Sequence, residues 1–164
     1  MLKIVTLILL LNGCGTEPSD WVEAVNPSPE ERVRFEQPVA SIAQILNEFL
    51  FDCGTKWNAD ISNFSKLEFI RYSDPSTEEE PNRVGVCWTW TSGGILTKAN
   101  IEVKNIQPAI KFKALLYHEL GHCVLGLDHS PQDDQELMSP ALLDSQYYIE
   151  NWDKLVQNIC TSQH

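Results

Sequence analysis

Basic residues are scarce in this chain. Twelve Lys and Arg stand against 23 Asp and Glu in 164 residues, a net charge of −11. Binding nucleic acid requires a basic face that neutralises phosphates, and electrostatic docking on a membrane requires one that meets anionic lipids, so the charge counts against both. Long apolar runs are missing as well. The longest, from Ile4 to Leu11, is far shorter than the roughly 20 residues of a transmembrane helix. No internal repeat is visible, which sets aside solenoids and propellers. Histidine is limited to four residues and cysteine to five, so where they cluster carries information. The length suits one domain with a real core, and a charged fraction of 21% with 9% aromatics is the composition of a globular chain.

The apolar run after Lys3 has the size of a signal-peptide core. It ends in Leu11-Asn12-Gly13-Cys14, which resembles the lipobox of bacterial lipoproteins. That resemblance implies cleavage before Cys14, lipidation of Cys14, and membrane attachment through this lipid alone. With Gly15 rather than Asp next, it also implies the outer membrane, on its periplasmic or exposed face. Residues 1–13 are then a signal peptide, residues 14–37 a Pro-rich, acidic tether, and residues 38–164 the folded domain. Setting Cys14 aside leaves Cys53, Cys87, Cys123 and Cys160, an even set that suggests two disulfides in an oxidising compartment. Three pairings are open, and four free thiols are the alternative. Cys53–Cys87 with Cys123–Cys160 is favoured, because each bond would staple an end helix to the body.

The hydrophobic pattern predicts an α+β order. Val39, Ile42, Ile45, Leu46, Phe49 and Leu50 recur at helical steps, with Pro38 suited to the first turn and Gly54 to the stop. Residues 67–72 and 83–90 read as strands separated by an acidic loop. After the turn at Ser92-Gly93-Gly94, Ile95 to Val103 reads as a third, edge strand. Pro108 introduces a helix over 109–125, and a last helix runs from about Asp144 to Cys160.

Three of the four histidines fall within twelve residues, His118 to His129. His118 and His122 are four apart, so on a helix they project from one face, within reach of one tetrahedral Zn²⁺. Glu119 lies about 100° around the helix from His118, beside such a metal, where it can deprotonate a metal-activated water. Gly126 can take a left-handed conformation, end the helix and turn His129 back as a third ligand.

This segment resembles the zinc signature of the metzincin clan of metallopeptidases, HExxHxxGxxH with a following Met-turn, and within the clan the matrixin-like branch. Glu136-Leu137-Met138-Ser139-Pro140 resembles that Met-turn, which implies that Met138 forms an apolar floor under the metal. The resemblance is specific over residues 116–140 and elsewhere implies an architecture: N-terminal helix, small twisted mixed sheet, active-site helix, Met-turn and C-terminal helix. One departure matters. Three residues, Cys123-Val124-Leu125, separate His122 from Gly126 where the pattern has two. Strict register makes Asp128 a rival third ligand, whereas the Gly-to-ligand spacing selects His129.

The resemblance implies a monomeric, lipid-anchored zinc endopeptidase acting on peptide or protein substrates, with one catalytic Zn²⁺ and Glu119 as general base. The alternative is a catalytically silent surface binding module on the same scaffold, against which the intact Glu119 speaks. A zinc hydrolase of non-protein amides shares the site. An edge strand at 95–103 would bind extended peptides by strand addition. Tyr147 and Tyr148 are candidates for oxyanion stabilisation or for core packing. No cysteine that could switch the metal off lies between Cys14 and Pro38.

Overall fold

The computed structural model describes residues 41–131 and 135–162; the expected signal peptide, Cys14, the tether and residues 38–40 lie outside them. Helix α1, Ile42–Phe49, begins where Ser41 Oγ accepts the Gln44 backbone N–H at 3.2 Å, satisfying one of the orphan donors of a first turn. Ile42, Ile45 and Phe49 share its buried face. The coil continues through Leu50–Lys56 in wider, π-type turns that bury Cys53. It therefore passes through Gly54 instead of stopping there. A side chain at Gly54 would come 2.5 Å from Ile61 Cδ1, so this glycine allows a close approach rather than a helix end.

Strand β1, Leu67–Tyr72, follows a short 3₁₀ turn. Strand β2 spans Gly85–Ser92, two residues later than the sequence pattern suggests. Arg83 belongs to the entry turn, its N–H donating to Glu80 O at 3.2 Å, and a bulge at Trp90/Thr91 carries the ladder on to Ser92. Gly93 and Gly94, at φ 59° and 79°, make the tight hairpin turn into β3, Ile95–Val103.

The mixed sheet has the order β1-β3-β2, with β1 parallel and β2 antiparallel to β3. Strand β3 is thus central and not the edge expected from its sequence. Its residues fit that place: Ala99, Ile101 and Val103 are fully buried, and even Asn100 on the opposite face is 5% exposed. Among the described residues the open sheet edge beside the histidine-bearing helix belongs to β2.

Helix α2, Ala109–Leu120, starts after Pro108 and continues in π-type turns through Gly121–Leu125. Helix α3, Ser145–Thr161, is capped by Asp144, whose Oδ1 accepts the Gln146 N–H at 2.8 Å. Phe112, Leu116, Leu120 and Val124 of α2 join Phe49, Ile101, Leu155 and Ile159 in one core. Each such side chain contributes about 1.5–3 kcal/mol by leaving water. Tyr117 sits edge-on between Phe49 at 5.3 Å and Trp152 at 5.0 Å, and its hydroxyl donates to Asp52 Oδ2 at 2.8 Å. No helix among the described residues is long and apolar enough to cross a membrane.

The four cysteines pair differently from the favoured expectation. Cys53 lies at disulfide distance from Cys160, and Cys87 from Cys123. The first pair joins the two end helices to each other, because the wide segment after α1 packs on α3. The second joins β2 to the histidine-bearing helix. Closing loops of 107 and 36 residues restricts the unfolded chain by about 4–5 kcal/mol and 3–4 kcal/mol respectively.

Candidate metal centre

Helix α2 presents His118 and His122 from one face because its remaining surface, from Phe112 to Leu125, is committed to the core. Two backbone carbonyls then orient the rings. His118 Nδ1 is 2.7 Å from Leu137 O, and His122 Nδ1 is 2.6 Å from Leu127 O. A carbonyl oxygen only accepts, so each Nδ1 carries the proton and each Nε2 keeps a bare lone pair.

Those lone pairs converge. His118 Nε2 lies 3.1 Å from His122 Nε2 and 3.2 Å from His129 Nε2, and one ligand atom from each of the three residues lies within 4.8 Å of the others. The unprotonated nitrogens of His118 and His122, 3.1 Å apart, repel one another unless a cation stands between them. Ligand nitrogens on a tetrahedral ion with bonds of about 2.0–2.1 Å are about 3.3 Å apart, so the group could hold a metal ion. Burial holds His118 down to about 4, with His122 and His129 adding to the effect and the Leu137 carbonyl opposing it. Burial likewise lowers His122. Both rings are thereby kept in the neutral form that binds metal.

The extra residue between His122 and Gly126 is absorbed inside the helix. Gly121–Leu125 forms a wide turn in which the Gly126 and Leu127 N–H groups both donate to Gly121 O, the latter at 3.1 Å. Gly126 then adopts φ 69°, ψ 27°, a left-handed geometry that costs glycine least, and the chain reverses. The reversal delivers His129 to the cluster. Asp128, the rival ligand, stays outside the group. Its negative charge favours protonation of His122.

Met138 is buried against the back of the same turn, its Sδ 2.5 Å from where a Gly121 side chain would begin. Gly121 is therefore needed for the thioether to reach the helix backbone between the two histidines. Ser130 N–H donates to Met138 O at 2.9 Å, tying the third-histidine loop to the Met138 segment.

Glu119, adjacent to His118, is 4% exposed. Burial pushes its carboxyl up to about 8, opposed by the positive charge of Arg83. A methyl group at Gly85 would collide with Glu119 Oε1 and come 2.7 Å from Leu115 Cδ1. The backbone of β2 thus rests directly on the Glu119 carboxyl, and the Cys87–Cys123 bond, two residues further along the same face of the strand, ties it to the helix. Gly85 is the site residue that motif reasoning missed. The signal was present, since a lone Gly between Val84 and Val86 in a strand marks a close approach. Tyr148 is 2% exposed and its hydroxyl accepts the Leu143 N–H at 3.0 Å, which makes it a core residue. Tyr147 reaches Gln135 O at 3.3 Å.

Replacing any one of His118, His122 or His129 by Ala is expected to weaken Zn²⁺ binding beyond the roughly 10–100-fold that outer partners contribute, and Asp128→Ala by less. Competition against a chromophoric chelator measures this. Retention of binding in His129→Ala with its loss in Asp128→Ala would overturn the assignment.

No protein-family model, no curated protein and no solved structure matches this chain, so the site is read from its own residues and geometry.

Proposed function

We propose that the protein is a zinc-dependent endopeptidase of the metzincin clan, matrixin-like, held at the bacterial envelope by a lipid on Cys14. The observation that carries the reading is the conjunction of three converging imidazole nitrogens with a buried carboxylate on the residue next to the first of them. A bare metal-storage or structural site has no use for Glu119 at that point. The donor set suits Zn²⁺, since three imidazole donors leave a fourth position open, as catalytic zinc sites do.

His118, His122 and His129 would hold the ion through Nε2, the first two rings fixed by the carbonyls of Leu137 and Leu127. When bound, zinc supplies a Lewis acid that activates a water and polarises the scissile carbonyl. A cation on the three histidines would draw the burial-raised Glu119 carboxyl back toward ionisation, and the carboxylate would then accept the proton that the water loses and return it to the departing amide nitrogen. Gly85 and the Cys87–Cys123 bond keep that carboxylate beneath the β2 edge. Among the described residues that edge has no further strand on its outer side, and an extended substrate would add there as one. Strand addition therefore falls to β2 rather than to β3.

Digestion of a denatured proteome by the full-length, zinc-loaded protein, with cut sites read by mass spectrometry, tests the reaction. Glu119→Ala is expected to keep its zinc and lose about 10²–10⁴-fold in rate, the usual worth of a general base. Gly85→Ala is expected to lose activity with zinc stoichiometry unchanged, because the added methyl displaces Glu119. Zinc bound without any cuts by the wild type would leave the surface binding module. The anchor has its own test: metabolic labelling with a palmitate analogue should mark the wild type and not Cys14→Ser. An unlabelled wild type would rule the lipid out.

A further inference from the structure

Strand β2 begins at the reactive centre and leads away from it. Gly85 lies on Glu119, and at about 3.3 Å per residue Trp88 and Trp90 stand roughly 10 and 17 Å further along. Residues 86, 88 and 90 pair with Glu102, Asn100 and Lys98 of β3, on the sheet face opposite Cys87, which is bonded into the helix. Trp88 and Trp90 remain 46% and 45% exposed there. On the β3 side the Lys98 ammonium covers Trp90, 5.2 Å from the ring centroid, and Lys98 is itself paired with Glu68 at 2.5 Å. Polar groups thus back the indoles on the inner side, while β2 has no strand on its outer side among the described residues.

Two half-exposed indoles spaced two apart on an open edge strand form a row of same-face positions. Directly opposite residues of an added strand bring their Cβ atoms to about 4.5–5.5 Å, within aromatic contact. Resting on the peptidase reading, we propose that Trp88 and Trp90 set substrate selection. They take apolar or aromatic side chains at two substrate positions, two residues apart. An antiparallel strand, the more stable pairing and the one β2 already makes with β3, would end its run toward Glu119. The two selected residues therefore precede the scissile bond. Their gain comes from covering indole surface that water otherwise meets.

Cleavage-site profiling of a proteome-derived peptide library by the full-length, zinc-loaded protein tests this. Wild-type cuts should be enriched in aromatic and large aliphatic residues at two positions, two apart, N-terminal to the bond. Trp88→Ala and Trp90→Ala should each erase one of the two enrichments and lower kcat/KM on the best substrate about tenfold. Thr89→Ala, on the other face of the strand, should leave the pattern intact. Zinc at wild-type stoichiometry reports that each variant has folded. A flat wild-type profile, or enrichments that survive both tryptophan variants, would overturn the selection. Absence of any cut by the wild type is a different outcome, and it would remove the peptidase reading itself.

Discussion

Two backbone carbonyls decide what the histidines of this protein can be. Leu137 O and Leu127 O each accept a hydrogen bond from an imidazole Nδ1–H, and with that choice the Nε2 lone pairs of His118 and His122 are left facing one another at 3.1 Å. Burial forbids the easy remedy of protonation, since it holds both rings below the ordinary imidazole range. A cation is the natural way to satisfy such an arrangement, and the remaining local structure serves to preserve it. The carbonyl of Leu137 is available only because the loop carrying Met138 folds under the helix. That of Leu127 is available only because the chain reverses at Gly126.

Three glycines make this possible, each for a different reason. Gly126 supplies a backbone conformation, φ 69°, that other residues adopt at a cost. Gly121 supplies room for the Met138 thioether against the helix, and Gly85 supplies room for Glu119 under β2. The wide turn over Gly121–Leu125 accommodates one more residue than the familiar zinc-signature spacing without moving His129 out of reach. Wide turns of this kind are uncommon in helices and concentrate at functional sites. The Cys87–Cys123 bond then couples that turn to the strand on which substrate would lie.

Local features were legible in the sequence, and long-range ones were not. The four-residue step from His118 to His122, the start of the last helix at about Asp144, the Gly93-Gly94 turn and the helix-ending Gly126 each depend on a few neighbouring residues, and each appears where the pattern put it. Strand neighbours and cysteine partners depend on contacts across the whole chain. Strand β3 reads as alternating and half-polar because Lys98, Asn100 and Glu102 share one face of it, yet it lies between two partners. Cys53 reaches Cys160 rather than Cys87 because the wide segment after α1 packs on α3, which no local spacing encodes. Gly54 resembled a helix stop because the sequence does not reveal that the coil widens and that Ile61 must fit beside it. The extra residue before Gly126 was legible as a departure, but its accommodation in a wide turn was not.

The central claim is that His118, His122 and His129 share one zinc ion through their Nε2 atoms. X-ray absorption at the zinc edge of the metal-loaded protein measures this most directly. Three imidazole nitrogens at about 2.0–2.1 Å with one further light-atom ligand are expected, and the outer-shell imidazole scattering should fall by about a third in His129→Ala. Two imidazoles with a carboxylate that vanishes in Asp128→Ala, or a sulfur ligand near about 2.3 Å, would contradict it.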